Sequence, residues 1–319
     1  MTRVLVTYPI PDPGLPLLRE RFDVAVHGED PPAREEVVAE ARGCAGMLTL
    51  LRDRVDDDLL AALPELRAVS NYAVGYDNID VAAATRRGVL VTNTPDVLTD
   101  ATADMAWALL LASARRVGEG ERYLRTGSFT GWTPHLLLGA DVAGATLGVI
   151  GYGRIGQAVA RRGTGFGMRI LYTARRDHQA PGVVAERVPL ARLLAESDFV
   201  SVNVPLSPET HHLVDEAALR SMKPTAHLVN TARGPVVDEA ALARALREGW
   251  IAGAGIDVFE REPEVHPDLL RQANAVLAPH LGSATVGARA AMSRVAATNL
   301  IQALGGERPA NLVNPGAWR

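Results

Sequence analysis

The sequence predicts an α/β protein with two parallel, helix-covered sheets, and three observations carry that expectation. Short apolar runs alternate with amphipathic stretches along most of the chain, the pattern of strands joined by crossover helices. The alternation comes in two series, separated by one long apolar segment. A length of 319 residues, at roughly 100–200 residues per domain, allows two domains with a cleft between them.

The first series places strands at 4–7, 24–27, 46–50, 68–71 and 89–93, with helices at 15–22, 34–41, 57–63 and 81–87 between them. Residues 100–116 follow, apolar and free of Gly and Pro, with Thr99 placed to cap a well-buried helix. The second series places strands at 146–150, 168–173, 199–204, 226–230, 253–258 and 275–278, with helices at 154–162, 190–196, 216–222 and 239–248. Six strands are the count of a complete dinucleotide-binding sheet. A last helix, about 284–304, leads to a short apolar tail, ANLVNP, expected to return to the first domain. The expected organisation is therefore a domain of 1–98 and 287–319, discontinuous, with 99–286 inserted into it.

Composition narrows the function classes. Apolar residues make up 47% and charged residues 22%, which are globular values that exclude a disordered chain. A net charge of -4 gives no general attraction to nucleic acid or anionic membrane. Lys223 is the one lysine beside 32 arginines, so Schiff-base chemistry has a single candidate. Cys44 is the one cysteine, which excludes an intramolecular disulfide and a multi-cysteine metal site. The start, MTRVLVTYPI, is too short an apolar run for a signal peptide, and no 18-residue apolar stretch follows. A cytoplasmic protein is the expectation.

The strand at 146–150 runs into Gly151-Tyr152-Gly153-Arg154-Ile155-Gly156 and then a helical stretch. In that spacing Gly151 permits a tight turn, Gly153 admits a pyrophosphate to the backbone, and Gly156 lets helix and strand pack closely. The helix N-terminus would hold the anion. At the end of the next strand the sequence reads Thr173-Ala174-Arg175-Arg176-Asp177, with arginines where an NAD-preferring site has its carboxylate. Two guanidiniums attract a ribose 2'-phosphate, so NADPH is favoured; NADH remains open if Asp177 reaches back to the ribose.

Three further residues fall beyond strand ends, where ligands of an open parallel sheet bind. Arg233 precedes Gly234, Glu262 precedes Pro263, and His280 precedes Leu281-Gly282. Arginine binds a carboxylate in two prongs, histidine supplies a proton near neutral pH, and a glutamate beside it holds the imidazole. Together they describe reduction of a 2-keto acid. The pair His211-His212 with Asp215 reads as a loop entering a helix, and no metal site is expected.

Specific motifs run nearly end to end: NYAVGYDNID at 71–80, the segment 88–115, GYGRIG at 151–156, NTARGPVVDEAAL at 230–242, GIDVFEREP at 255–263 and APHLGSAT at 278–285. With these the chain resembles the D-isomer-specific 2-hydroxyacid dehydrogenases, and within them the glyoxylate/hydroxypyruvate reductases. The resemblance implies two Rossmann-like or flavodoxin-like domains, the cofactor domain inserted into a substrate domain. It implies Arg233, Glu262 and His280 as the catalytic set, and a turn at Tyr72, Ala73, Val74 and Gly75 that offers backbone N–H groups to the substrate carboxylate. Thr102, Pro205, Leu206, Thr231, Ala232, Asp257 and Gly282 match positions that line the cofactor. Trp132 lies in a segment resembling one that reaches a neighbouring subunit's site, which implies a homodimer. The implied substrate is a small 2-oxo acid, glyoxylate or hydroxypyruvate, with the 2-hydroxy acid as product. Phosphoglycerate or phosphite oxidation and a nucleotide-sensing corepressor are the competing readings. An end at Arg319 speaks against a phosphoglycerate dehydrogenase with a regulatory extension, and the triad against the corepressor.

Overall fold

The computed structural model describes residues 1–178 and 180–318; Arg319, the last residue of the expected C-terminal segment, lies outside the described residues. The chain divides into two compact units, Met1–Leu98 with the residues from Ala284 onward, and Thr99–Ser283. The second crossing lies between Ser283 and Ala284, and Thr285 caps the helix that follows, accepting the Ala288 amide at 3.1 Å.

The first unit begins β1 (Arg3–Val6), α1 (Gly14–Arg19), β2 (Asp23–Val26), α2 (Arg34–Ala41), β3 (Gly46–Thr49), α3 (Asp57–Ala62), β4 (Ala68–Asn71), α4 (Val81–Arg86) and β5 (Leu90–Thr92). Its sheet is parallel throughout, in the order β2-β1-β3-β4-β5. Every residue of β3, β4 and β5 is buried, as strands covered on both faces must be. Asp56 and Asp80 start α3 and α4 by accepting the Leu59 and Ala83 amides.

The second unit runs α5 (Thr99–Ala114), α6 (Val117–Arg125), β6 (Thr146–Ile150), α7 (Arg154–Thr164), β7 (Arg169–Thr173), β8 (Ala185–Arg187), α8 (Leu190–Glu196), β9 (Phe199–Val202), α9 (Glu216–Ser221), β10 (His227–Asn230), α10 (Glu239–Glu248), β11 (Gly253–Ile256), α11 (Pro267–Leu270) and β12 (Ala275–Leu277). Its sheet is also parallel and has seven strands, in the order β12-β11-β10-β9-β6-β7-β8. The expected six become seven because β8, Ala-Glu-Arg, pairs at the edge of β7 without any apolar run to announce it. Thr99 lies inside α5 instead of capping it, and α6 was not expected.

Alternate residues of each strand supply the two cores of this sheet. Ile150, Val200, Leu228 and Ile256 pack with Leu242 and Leu246 of α10, while Val149, Phe199 and Val229 face Leu109 and Leu110 of α5. Glycines in β11 let α5 close in: a β-carbon at Gly255 would stand 2.7 Å from that of Leu109.

The chain then returns as α12 (Val286–Gly305), which packs on β3, β4 and β5 of the first unit. Ser70 of β4 donates to the Ala296 carbonyl at 2.8 Å. The tail follows: Val313 donates to Val91 at 2.8 Å, and the Asn314 side chain accepts the Val91 amide. No helix among the described residues is long and apolar enough to cross a membrane.

Candidate active site

In the second unit β6 and β9 are neighbours although β7 and β8 intervene in the chain, so the sheet's direction of growth reverses between them. Ligands of such sheets bind at the carboxyl end of that point. Gly151 lies there with φ +91, a conformation side chains resist, and a β-carbon on it would stand 2.7 Å from the Asn203 carbonyl oxygen after β9. Gly156 meets the Gly151 carbonyl at 2.0 Å in the same sense, so only glycine allows α7 to start so close to β6.

Gly153 differs. It is the N-cap of α7, no side chain caps it among the described residues, and a β-carbon there would meet nothing within 4 Å. The helix N-terminus is left open toward that space, as an anion site requires. Tyr152 is buried and stacks on Tyr172 at 4.0 Å, and Ile155 packs against the α5-side core. Arg154 opens α7 and is exposed. The Thr231 hydroxyl is buried without a hydrogen-bond partner among the described residues, at the end of β10. An open cradle and an orphaned hydroxyl on one sheet edge fit a dinucleotide.

Gly151 donates to the Thr173 carbonyl at 2.9 Å, which sets the Ala174–Arg175–Arg176 turn beside the glycine turn. Arg175 and Arg176 are exposed there. Asp177 accepts a short hydrogen bond from the Tyr172 hydroxyl. Arg187 secures the turn by donating to the Ala174 carbonyl at 2.8 Å.

The ends of β10, β11 and β12 are consecutive on the sheet, and each carries one of the three residues singled out by sequence. Arg233 precedes the 3-10 turn Gly234–Val236 and donates to the Ala232 carbonyl at 2.7 Å. Glu262 follows β11, and His280 follows β12. His280 Nδ1 lies 2.8 Å from Glu262 Oε2, and the Phe259 amide donates to Glu262 Oε1 at 3.0 Å. Burial opposes ionisation of Glu262, but the hydrogen bond and charge of His280, the Phe259 amide and the charge of Arg233 outweigh it and hold the carboxyl below its ordinary value. The carboxylate therefore accepts the Nδ1 proton, which turns Nε2 toward other partners. The His280 side chain is 32% exposed, so a small molecule can reach it.

His280 has φ +55, the left-handed region that a histidine adopts at a cost. Asp257 holds it there. The Asp257 carbonyl accepts the His280 amide at 2.8 Å, and its carboxylate accepts the amides of Leu281 and Gly282 at 2.6 and 2.7 Å. Gly282 fits tightly, its absent β-carbon lying 3.1 Å from Asp257 and 3.4 Å from Thr102. Thr102, Asp257 and Gly282 thus meet, with the Asp257 carboxylate engaged by backbone amides.

Pro205 is exposed after β9 and its carbonyl accepts the Thr210 hydroxyl. Trp132 is 81% exposed, with no ring contact to the triad among the described residues. Ala73, Val74 and Gly75 belong to the first unit, where their amides donate no hydrogen bond among the described residues. His212 is engaged by Glu260 at 3.0 Å and Asp215 caps α9, so neither is poised for a metal. Sequence reasoning passed over Asn230, which is buried and shapes the Arg233 turn: its side chain donates to the Arg233 carbonyl and accepts the Ala232 amide. An asparagine two residues before a turn is the signal that could have found it.

Comparison with known proteins agrees with this geometry. Residues 107–282 match the family described as D-isomer specific 2-hydroxyacid dehydrogenase, NAD binding domain. A glyoxylate reductase of Thermococcus onnurineus is 53% identical over 98% of this chain and 96% of its own length. A Thermus thermophilus protein of known structure superposes with a TM-score of 0.93 at 46% identity, covering 98% of this chain and all of the other. An NADPH-dependent glyoxylate/hydroxypyruvate reductase of Sinorhizobium meliloti, solved with NADP and malonate, gives a TM-score of 0.88 at 37% identity over the full chain and 98% of its own. The chain belongs to the D-isomer specific 2-hydroxyacid dehydrogenase family and is an NAD(P)-dependent oxidoreductase.

Proposed function

We propose that the protein reduces a small 2-oxo acid, glyoxylate or hydroxypyruvate, to the 2-hydroxy acid with NADPH, and that His280 is the general acid. The observation that carries this reading is the His280–Glu262 pair at 2.8 Å, held at the same carboxyl edge as the Arg233 turn and the open Gly153 cradle. A nicotinamide held at the Gly151–Gly156 turn would supply the hydride for the keto carbon. Arg233 binds the substrate carboxylate and the keto oxygen, acting on the negative charge that grows there. His280 Nε2 delivers the proton to that oxygen while the Glu262 carboxylate steadies the Nδ1 side. General acid catalysis of this kind contributes about 10²- to 10⁴-fold.

The cofactor preference rests on Arg175 and Arg176, which flank the ribose end of the cradle, and on Asp177. Asp177 accepts a hydrogen bond from Tyr172, which engages one oxygen of the carboxylate that could otherwise reach a ribose. In the first unit the amides of Ala73, Val74 and Gly75 donate no hydrogen bond among the described residues, which leaves them able to bind a carboxylate. Exposed Phe129, Trp132 and Leu138 support a homodimer, with Trp132 serving the partner's site.

The test is turnover of glyoxylate, hydroxypyruvate and pyruvate with NADPH and with NADH. Turnover with NADPH at the lower KM is expected; none with any of the three would overturn the reading. In the His280→Asn variant kcat should fall about 10²- to 10⁴-fold with NADPH affinity within about twofold. Unchanged turnover would remove His280 from the role.

A further inference from the structure

The two segments that carry Arg233 and Glu262 are tied together away from the reacting groups by one side-chain pair. His212, in the loop before α9, donates its amide to the Pro235 carbonyl at 2.8 Å, two residues past Arg233. Val214 continues the pairing, donating to Val236 at 3.0 Å. The His212 ring turns the other way: Nε2 lies 3.0 Å from Glu260 Oε1, two residues before Glu262.

Glu260 is clasped a second time. Its Oε1 also accepts the Glu239 amide at the start of α10, at 2.9 Å, and its own amide donates to Glu239 Oε2 at 3.3 Å. The backbone around it has no slack, since a β-carbon at Gly234 would stand 1.9 Å from the Phe259 carbonyl carbon and 2.4 Å from the Glu260 nitrogen. The peptide after Arg233 therefore lies directly on the peptide before Glu260. His212 itself has φ +49, a cost that its two tethers must offset.

We infer that Glu260 and His212 are positioning residues: the pair fixes the 259–262 loop against the Arg233 turn and so sets where Glu262 meets His280. Neither residue hydrogen-bonds to the Glu262 or His280 side chain among the described residues, so the pair acts through the backbone it anchors. Misplacing a reacting group by about 1 Å costs on the order of a hundredfold in rate. The inference rests on the reading of His280 as the general acid.

The pair lines a cavity of about 390 Å³ that Asp238 and His266 also border. Shortening Glu260 enlarges this existing space and opens no void in the apolar core.

The experiment compares Glu260→Ala, Glu260→Gln and His212→Asn, reading kcat, KM, NADPH affinity and thermal midpoint, together with the nuclear magnetic resonance signals of the His280 imidazole. Glu260→Ala should lower kcat about tenfold or more, with KM and NADPH affinity within about twofold, and should displace the His280 Nδ1–H signal. Glu260→Gln, whose amide oxygen still accepts the Glu239 amide, should recover most of kcat and the signal. His212→Asn combined with Glu260→Ala should cost no more than the Ala change alone, as for two members of one linkage. Wild-type kcat and an unmoved His280 signal in Glu260→Ala overturn the proposal, as do equal losses in the Ala and Gln variants. A wild-type enzyme inert toward every 2-oxo acid defeats the general-acid reading alone, because the His280 signal still shows whether Glu260 positions Glu262.

Discussion

The two units carry the same kind of sheet and use its central turn differently. In each, the first strand feeds a helix with a glycine at its start: β1 leads to Gly14, the first residue of α1, and β6 leads to Gly153, the N-cap of α7. The Gly14 amide donates to the Ser293 hydroxyl at 3.0 Å, and a β-carbon there would stand 2.2 Å from that oxygen. The glycine serves packing, and α12 occupies the helix start. At Gly153, one place earlier relative to its helix, a β-carbon would meet nothing within 4 Å. Topology supplies an edge, and the residue opposite the glycine decides whether that edge receives a helix or an anion.

The long covering helices make a second contrast. Beneath α12 one buried polar group is Ser70, which cannot titrate near neutral pH. Beneath α5 one such group is His227, bonded to Ser113 at 2.8 Å and stacked on Phe199.

The largest expected effect follows from that contrast. Burial lowers the His227 pKa from 6.5 to about 4. The folded state keeps the ring neutral, and the unfolded chain takes up the proton first as pH falls. Its contribution is therefore whole above pH 6.5 and drains toward pH 4, by about 3 kcal/mol. Denaturant unfolding followed by the fluorescence of Trp107, in the same unit, should show this slope, and His227→Gln should flatten it; a slope that survives the substitution breaks the contrast. Next, Gly14→Ala forces the Ser293 contact and should destabilise the first unit by about 2 kcal/mol, leaving NADPH affinity unchanged.

Gly153→Ala should do the reverse, weakening NADPH binding about tenfold, or 1.4 kcal/mol, at little change in thermal midpoint. If both alanines behaved alike, the two turns would not differ as described. The smallest effect sharpens the cofactor end: Arg175→Ala with Arg176→Ala should raise the NADPH dissociation constant about fivefold more than that for NADH, the value of an exposed ion pair. An unchanged ratio would remove the arginines from selectivity.

Elements whose local chemistry matched their environment were legible from sequence. β6 is an apolar run and largely buried, and the helices expected at 57–63, 81–87 and 239–248 begin directly after Asp56, Asp80 and Asp238, which cap them. β8 was not legible because an edge strand of Ala-Glu-Arg owes its form to β7 alone. Nor was α6, which holds two glycines and buries no residue. At the site, residue chemistry and family resemblance brought out Arg233, Glu262 and His280. The left-handed backbone of His280 and the amides that Asp257 holds are set by the fold, 24 and 25 residues apart in sequence. His212 meets Glu260 across 48 residues and looked like a bystander, because nothing near it in sequence names its partner.

The insertion of one unit into the other also orders events during synthesis. Met1–Leu98 leaves the ribosome first, yet the face of β3 and β4 that receives α12 stays uncovered until the chain beyond Ser283 has been made. A β-carbon at Gly46 would lie 2.8 Å from Leu304, so the returning helix fits directly onto β3. The second unit completes its own core in the interval. A nascent chain halted at Ser283 should accordingly show slow hydrogen exchange in β6 and β9 and fast exchange in β3 and β4: the part of the protein born first is the last to become solid.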